Sequence, residues 1–292
     1  MKFWISVSFT DPAHLVPLAR KAEEVGFEGV LMADHLFYPE DIESSYPYSP
    51  DGTPLFAKTT PFPEPWCAIS AMAAVTERLK FSVAVYILPL HDPIEVAKQT
   101  STVAAISGGR LALGIGTGWM KEEFDIQGIP FETRGRRMNE QIEVLRKLWS
   151  GKPVSHEGEF FEFPEISMSP AASFEIPIWV GGSSKIALRR AARLAQGWIG
   201  HGHDEQSASA VLDTLARLRA EEGRAGDSFE CLVPLAGEPD EALFTRMAQK
   251  GMTATLSYPP SLAIGAESPT LEQECDHLEQ YAENVIEPLR KI

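Results

Sequence analysis

Short apolar runs rich in Val, Ile and Leu alternate along the chain with longer segments whose apolar residues return every three or four positions. The first pattern is that of strands buried on both faces, the second that of helices laid against them. "FWISVSF" (Phe3 to Phe9) passes into "AHLVPLARKAEEVGF", where Leu15, Leu18, Ala22 and Val25 share one helical face and Gly26 supplies the stop. "GVLMADHL" is a second strand. Residues 38–65, rich in Pro, Tyr and Ser and carrying the turn signal "SPDGTP", have no periodicity and read as an unusually long loop. The rhythm resumes with helix "WCAISAMAAVTERL", strand "KFSVAVYIL" and helix "DPIEVAKQTSTVAAIS", which opens with Asp92 as N-cap, Pro93 and Glu95. Strand "RLALGIG" and helix "RGRRMNEQIEVLRKLWSG" come next. An irregular "EGEFFEFPEISMSP" is expected as a small hairpin or excursion, after which strand "IPIWVGG", helix "SKIALRRAARLAQG", strand "WIGHG" and three further helices and two strands follow.

Eight strands alternating with eight helices, and no linker between halves, predict a single domain over residues 1–292. Its fold would be a closed (β/α)8, or TIM, barrel with a long loop after strand 2 and a small excursion before strand 5. An open doubly wound sheet is the rival, but no dinucleotide fingerprint accompanies these strands.

The bulk numbers narrow the partners. Composition is that of an ordinary globular protein, 44% hydrophobic and 23% charged. Twenty-six basic against 41 acidic residues give a formal charge of −15, which repels nucleic acid and anionic membranes and leaves a small molecule as the expected partner. No apolar run is long enough for a membrane span. Cys67, Cys231 and Cys275 are odd in number and without CxxC spacing, so neither a disulfide framework nor a zinc site is expected, and a reducing cytoplasm suits the chain.

In such a barrel the chemistry sits in the loops after the strands. Asp34-His35 leaves strand 2, joining a carboxylate to the side chain that titrates nearest neutrality; the plain alternative is a loop-packing pair. Tyr86 and His91 follow strand 3, where Tyr86 could flank a planar ring or be core. After strand 4, "GIGTGW" packs Gly114, Gly116, Thr117 and Gly118 before Trp119. It is not a GxGxxG fingerprint, and it offers backbone that a ligand can approach closely. "WVGGSSK" after strand 5 offers Gly181 and Gly182 with Ser183 or Ser184 as helix cap, an arrangement that accepts phosphate. "HGH" sets His201 and His203 two apart without evident further metal ligands, so no metal is expected. Hydrolase, kinase and zinc-protease motifs are absent.

"MADHLF", "LPLHDPIEVAKQTSTVAAISGGRLALGIGTGWMKEEF", "FETRGRRMNEQIEVLRKLW" and "IPIWVGGSSKIALRRAARLAQGWIG" together resemble the luciferase-like monooxygenase family, in order from residue 1 to about 200. The resemblance implies a barrel oxidoreductase with a flavin or deazaflavin at the strands' C-terminal ends. The Asp-His pair and "GTGWMKEEF" most resemble the branch that uses the deazaflavin coenzyme F420; FMN with oxygen chemistry is the alternative, and a non-catalytic flavin-binding relative a distant one. It further implies that Asp34 and His35 stand beside the redox ring, with His35 handling the proton. Val85 and Tyr86 would fall where relatives often carry a non-proline cis peptide. Gly116, Thr117 and Gly118 would line the cofactor's side chain, and Gly181, Gly182 and Ser183 its phosphate. Trp119, Phe37 and Tyr38 would wall the substrate, with the loop over 38–65 as a lid. Trp119 stands where the sugar-phosphate dehydrogenases of the family have an acidic residue, so their reaction does not transfer. Barrels of the family often dimerise, which leaves room for a homodimer.

Overall fold

The computed structural model describes residues 1–237 and 239–292. Nine parallel strand segments form the main sheet: β1 (Lys2–Ser6), β2 (Gly29–Met32), β3 (Lys80–Val83), β4 (Tyr86–Ile87), β5 (Leu113–Gly116), β8 (Ile178–Gly181), β9 (Gly197–Ile199), β10 (Glu230–Leu232) and β11 (Ala254–Ser257). Between β5 and β8, β6 (Val154–Glu157) and β7 (Glu162–Ile166) make a separate antiparallel hairpin, the excursion expected before the fifth barrel strand.

The pairing order β3-β2-β1-β11-β10-β9-β8-β5-β4 begins and ends on two pieces of one strand. The third strand, expected as continuous through "KFSVAVYIL", breaks between Val83 and Tyr86, and a cis peptide bond joins Ala84 to Val85 in the gap. Its lower piece also reaches β5's side of the sheet. Phe81 bridges Leu111 in parallel, with Phe81 N–H donating to the Arg110 carbonyl at 2.8 Å and Ala112 N–H to the Phe81 carbonyl at 2.9 Å. The ring is thereby closed, and nine segments act as the eight expected staves.

The helices surround this ring: α1 (Leu15–Val25), α2 (Pro65–Ala73), α3 (Pro93–Ser107), α4 (Lys121–Ile126), α5 (Arg134–Trp149), α6 (Lys185–Leu194), α7 (Glu205–Glu221), α8 (Glu241–Gln249), α9 (Pro260–Ile264) and α10 (Leu271–Tyr281). Local chemistry sets their ends. Asp92 accepts from the amides of Ile94 and Glu95 to start α3, and Gly108 at φ 65° ends it in the left-handed conformation. Helix α2 is shorter than its pattern suggests, because the Glu23 carboxylate of α1 takes the amides of Glu77, Arg78 and Leu79, which a longer helix would have needed. None of the helices is long and apolar enough to cross a membrane among the described residues.

Two apolar shells result. One lies between ring and helices, and a smaller one fills the barrel with Trp4, Leu31, Ala112, Trp179, Ile199, Leu232 and Ala254. At the N-terminal end of the barrel the indoles of Trp4 and Trp179 meet edge to face at 5.4 Å. They fit because Gly29 and Gly197 have no side chain there; a Cβ on either would overlap an indole.

Candidate active site

At the barrel's C-terminal end the filling is different. The Val85 side chain rests on Gly116 of β5 and Gly181 of β8, where a Cβ on either glycine would collide with its methyl groups. Gly114 leaves room for the Val83 carbonyl, while Gly118, at φ 78°, turns the chain against Ile87 and Phe124. The closely spaced glycines of "GIGTGW" therefore answer to the irregular third strand beside them. With Ala84 and Val85 only half-buried, the result is a low apolar floor at the mouth.

Asp34, leaving β2, is buried and turned toward this floor's edge. Its Oδ2 accepts from Ile87 N–H at 2.9 Å and pairs with His91 Nε2 at 3.1 Å. The His91 ring stacks on Tyr86 at 4.1 Å. Burial, reinforced by the Asp34 charge, pushes the Tyr86 phenol far above its ordinary range and keeps it protonated. Asp34 thus pins β4 and its following turn to β2.

His35 points the other way, into the mouth. Its Nδ1 lies 3.0 Å from Oε2 of Glu123, a carboxylate with no solvent exposure, whose Oε1 accepts from the Leu36 amide at 2.9 Å. With one oxygen held by a backbone N–H, the other is an acceptor for Nδ1–H, which leaves Nε2 for a ligand. Around the ring stand Phe56, Phe62 and Trp119 at 5.1, 5.3 and 5.8 Å.

Sequence reasoning missed Glu123. Its signal is the spacing Met120, Glu123, Phe124, which puts the carboxylate on the same buried face of α4 as two apolar side chains. Its neighbour Glu122 turns toward the long loop and accepts from the amides of Glu43 and Ser44, while Lys121 N–H donates to Ser44 Oγ. Those bonds strap the long loop down. Tyr46 then packs on Trp119 at 5.1 Å, and Tyr48 on His201 at 4.7 Å; desolvation pushes the Tyr46 phenol up to about 12. Tyr38 reaches Phe56 at 6.0 Å, and Phe37 is half-buried at the loop's start.

On the opposite side of the mouth, Gly182 at φ 100° has its carbonyl held by Trp198 Nε1–H at 2.9 Å. Ser184, rather than Ser183, caps α6, accepting from Ala187 N–H at 3.1 Å. Ser183 Oγ instead pairs with His201 Nδ1 at 3.1 Å. His203 is buried 4.4 Å from His201, and burial with that neighbour pushes its imidazole down to about 4. No group of three or more metal-ligating side chains gathers among the described residues. Thr117 is half-buried beside Trp119.

A closed parallel barrel with a histidine–carboxylate pair at its mouth under an aromatic loop has the architecture in which barrel enzymes carry their active sites. The chain belongs to the luciferase-like monooxygenase family, whose profile matches residues 4–249, and so to the oxidoreductases. An uncharacterized protein of Mycobacterium tuberculosis is 37% identical over 287 residues, covering 98% of this chain and 99% of the relative. The F420-dependent glucose-6-phosphate dehydrogenase of Nakamurella multipartita is 28% identical over 266 residues, 88% of this chain and 73% of the relative. Among solved structures, the monooxygenase RslO1 from Streptomyces bottropensis superposes with a TM-score of 0.74 at 18% identity, over 99% of both chains. That likeness fixes the fold.

Proposed function

We propose that the chain is a deazaflavin-dependent oxidoreductase that exchanges hydride between coenzyme F420 and a small organic substrate, with His35 exchanging the accompanying proton. The observation that carries this reading is the His35–Glu123 pair at the mouth, a base oriented by a fully buried carboxylate. The residues present fit such a coenzyme. Val85, seated on Gly116 and Gly181, offers a flat apolar support for a planar ring. Gly181, Gly182 and Ser183 lead into the N-terminus of α6, which with Lys185 in its first turn suits a phosphate. When bound, the coenzyme supplies the ring carbon that gives or takes hydride.

The protein's own groups do the rest. Glu123 holds His35 with Nδ1–H toward itself, so that Nε2 accepts or returns the substrate's proton. Asp34 keeps the third strand's upper half in register with β2 through Ile87 and His91. The strapped loop excludes water from the mouth. The choice of F420 over FMN is supported by the sequence type of "GTGWMKEEF" and by the name of the 28% relative.

The test is titration of the purified apoprotein with F420 and with FMN, followed by tryptophan fluorescence. Quenching by F420 at micromolar concentration, with FMN weaker by about tenfold or more, is expected. Preference for FMN would move the site to oxygen chemistry, and binding of neither would overturn the reading.

A further inference from the structure

We infer that His201 couples the phosphate subsite to the long loop: an anion seated against Ser183 draws a proton onto His201, and the charged ring then grips Tyr48 and holds the loop down. This rests on the proposed seating of a phosphate at Gly181, Gly182 and Ser183, and adds to it the residue that answers to that phosphate.

His201 stands between the glycine turn and the loop. On one side its Nδ1 lies 3.1 Å from Ser183 Oγ, and on the other its ring meets the Tyr48 ring at 4.7 Å, tilted by 34°. The Tyr48 hydroxyl also lies 3.9 Å from where a Cβ on Gly182 would stand, so the same tyrosine covers the turn. While His201 is neutral, it and the serine hydroxyl can each donate to the other. Once both ring nitrogens carry protons, Nδ1–H donates to Ser183 Oγ and the serine's own hydrogen turns outward, toward an anion oxygen. Ser183 O–H then donates to the anion with a cation behind it, the stronger form of such a bond. The proton comes from solvent.

The surroundings leave His201 uncharged until an anion arrives. Desolvation holds the half-buried ring below its ordinary range, so without an anion it is neutral at pH 7. The groups that face it are Ser183 from the turn after β8, Tyr48 from the long loop and His203 from its own segment, while the Tyr258 hydroxyl lies against Gly202. Lys185 stands in the first turn of α6. The neighbouring carboxylate, Asp204, caps α7, accepts from Ser207 and acts on His203. His203 does not take the proton instead. It is 3% exposed, its imidazole is pushed down to about 4, and its Nε2 meets no hydrogen-bond partner among the described residues. Of two imidazoles 4.4 Å apart, only His201 therefore charges. A negative charge at Ser183 favours that charged form, and the face of the Tyr48 ring attracts it.

The experiment uses the full chain without cofactor and sulfate as the probe, because sulfate stays a dianion throughout the range in which histidine titrates. Imidazole NMR follows the His201 titration with and without sulfate, and His201→Gln assigns the signal. The midpoint is expected to rise by about one pH unit or more in sulfate, which is an about tenfold tighter hold on the charged form. Sulfate affinity should fall as pH rises through neutrality, and His201→Gln should remove that dependence. Through the grip on Tyr48, sulfate should slow hydrogen exchange at the loop amides of Glu43, Ser44 and Tyr46 by about two- to fivefold. Tyr48→Leu should lose this slowing and keep the shifted His201 titration. Absence of sulfate binding, a His201 midpoint that sulfate leaves unmoved in the unaltered protein, or equal slowing of the loop in Tyr48→Leu overturns the inference. If sulfate behaves as stated and F420 fails to bind, the deazaflavin reading falls and this one stands; if F420 binds and sulfate leaves His201 unmoved, the reverse holds.

Discussion

The two ends of the barrel use the same device for different purposes. At the N-terminal end two strand glycines, Gly29 and Gly197, make room for the indoles of Trp4 and Trp179, which plug the barrel above a surface cavity of about 320 Å³. At the C-terminal end two others, Gly116 and Gly181, make room for Val85, a smaller and only half-buried side chain. One end is closed by large aromatic rings; the other is left as a floor with Asp34 and His35 at its rim and an aromatic loop above. Stability should therefore be concentrated below and chemistry above.

The sharpest way to break that contrast is Trp179→Ala. Removing a buried indole from the lower layer should cost about 3–5 kcal/mol of stability, read by urea denaturation, while the affinity of the folded protein for its cofactor stays within about twofold. A large loss of affinity would mean that the two ends are not separable.

Next in size are the glycines themselves. Gly197→Ala and Gly181→Ala each overpack the barrel and should cost about 1–3 kcal/mol. Only Gly181→Ala, which displaces Val85, should also weaken cofactor binding, and adding Val85→Ala should restore its melting temperature. No such rescue is expected for Gly197→Ala, whose clash is with Trp179.

A smaller effect concerns acid. His203 is held near 4 by burial and by His201 beside it, whereas an unfolded chain's histidine titrates near 6.5. Between about pH 6.5 and 4 the unfolded state binds a proton that the folded state does not. Stability therefore falls as pH drops through that window and levels off below it, by on the order of 1–3 kcal/mol. Denaturant melts at pH 7 and pH 5 should show the loss, and His203→Gln should reduce it.

Much of the frame was legible because it depends on local pattern. The alternation of strand and helix, the Asp92 cap and the Asp34-His35 pair at a strand's exit are all set by neighbours within a few residues. What pairs with what was not. Gly29 and Trp4 are 25 positions apart, and nothing near Gly116 says that Val85 occupies its missing side chain. "KFSVAVYIL" carries an unbroken apolar pattern although the strand divides at Ala84 and Val85. Glu122 and Glu123 look alike in sequence, as acidic residues at a helix start; the rotation of α4 sends one to the loop and the other under His35. Ser183 and Ser184 posed the same ambiguity, and backbone direction settled which one caps α6.

His35 is the group on which the proposed chemistry of the mouth depends. Its most direct test is to measure turnover and cofactor affinity side by side in the unaltered protein and in His35→Ala. Loss of the proton-handling group should lower turnover by about 10²- to 10⁴-fold and change the cofactor dissociation constant by less than about threefold. Turnover equal to that of the unaltered protein would contradict the account and remove His35 from the chemistry of the mouth.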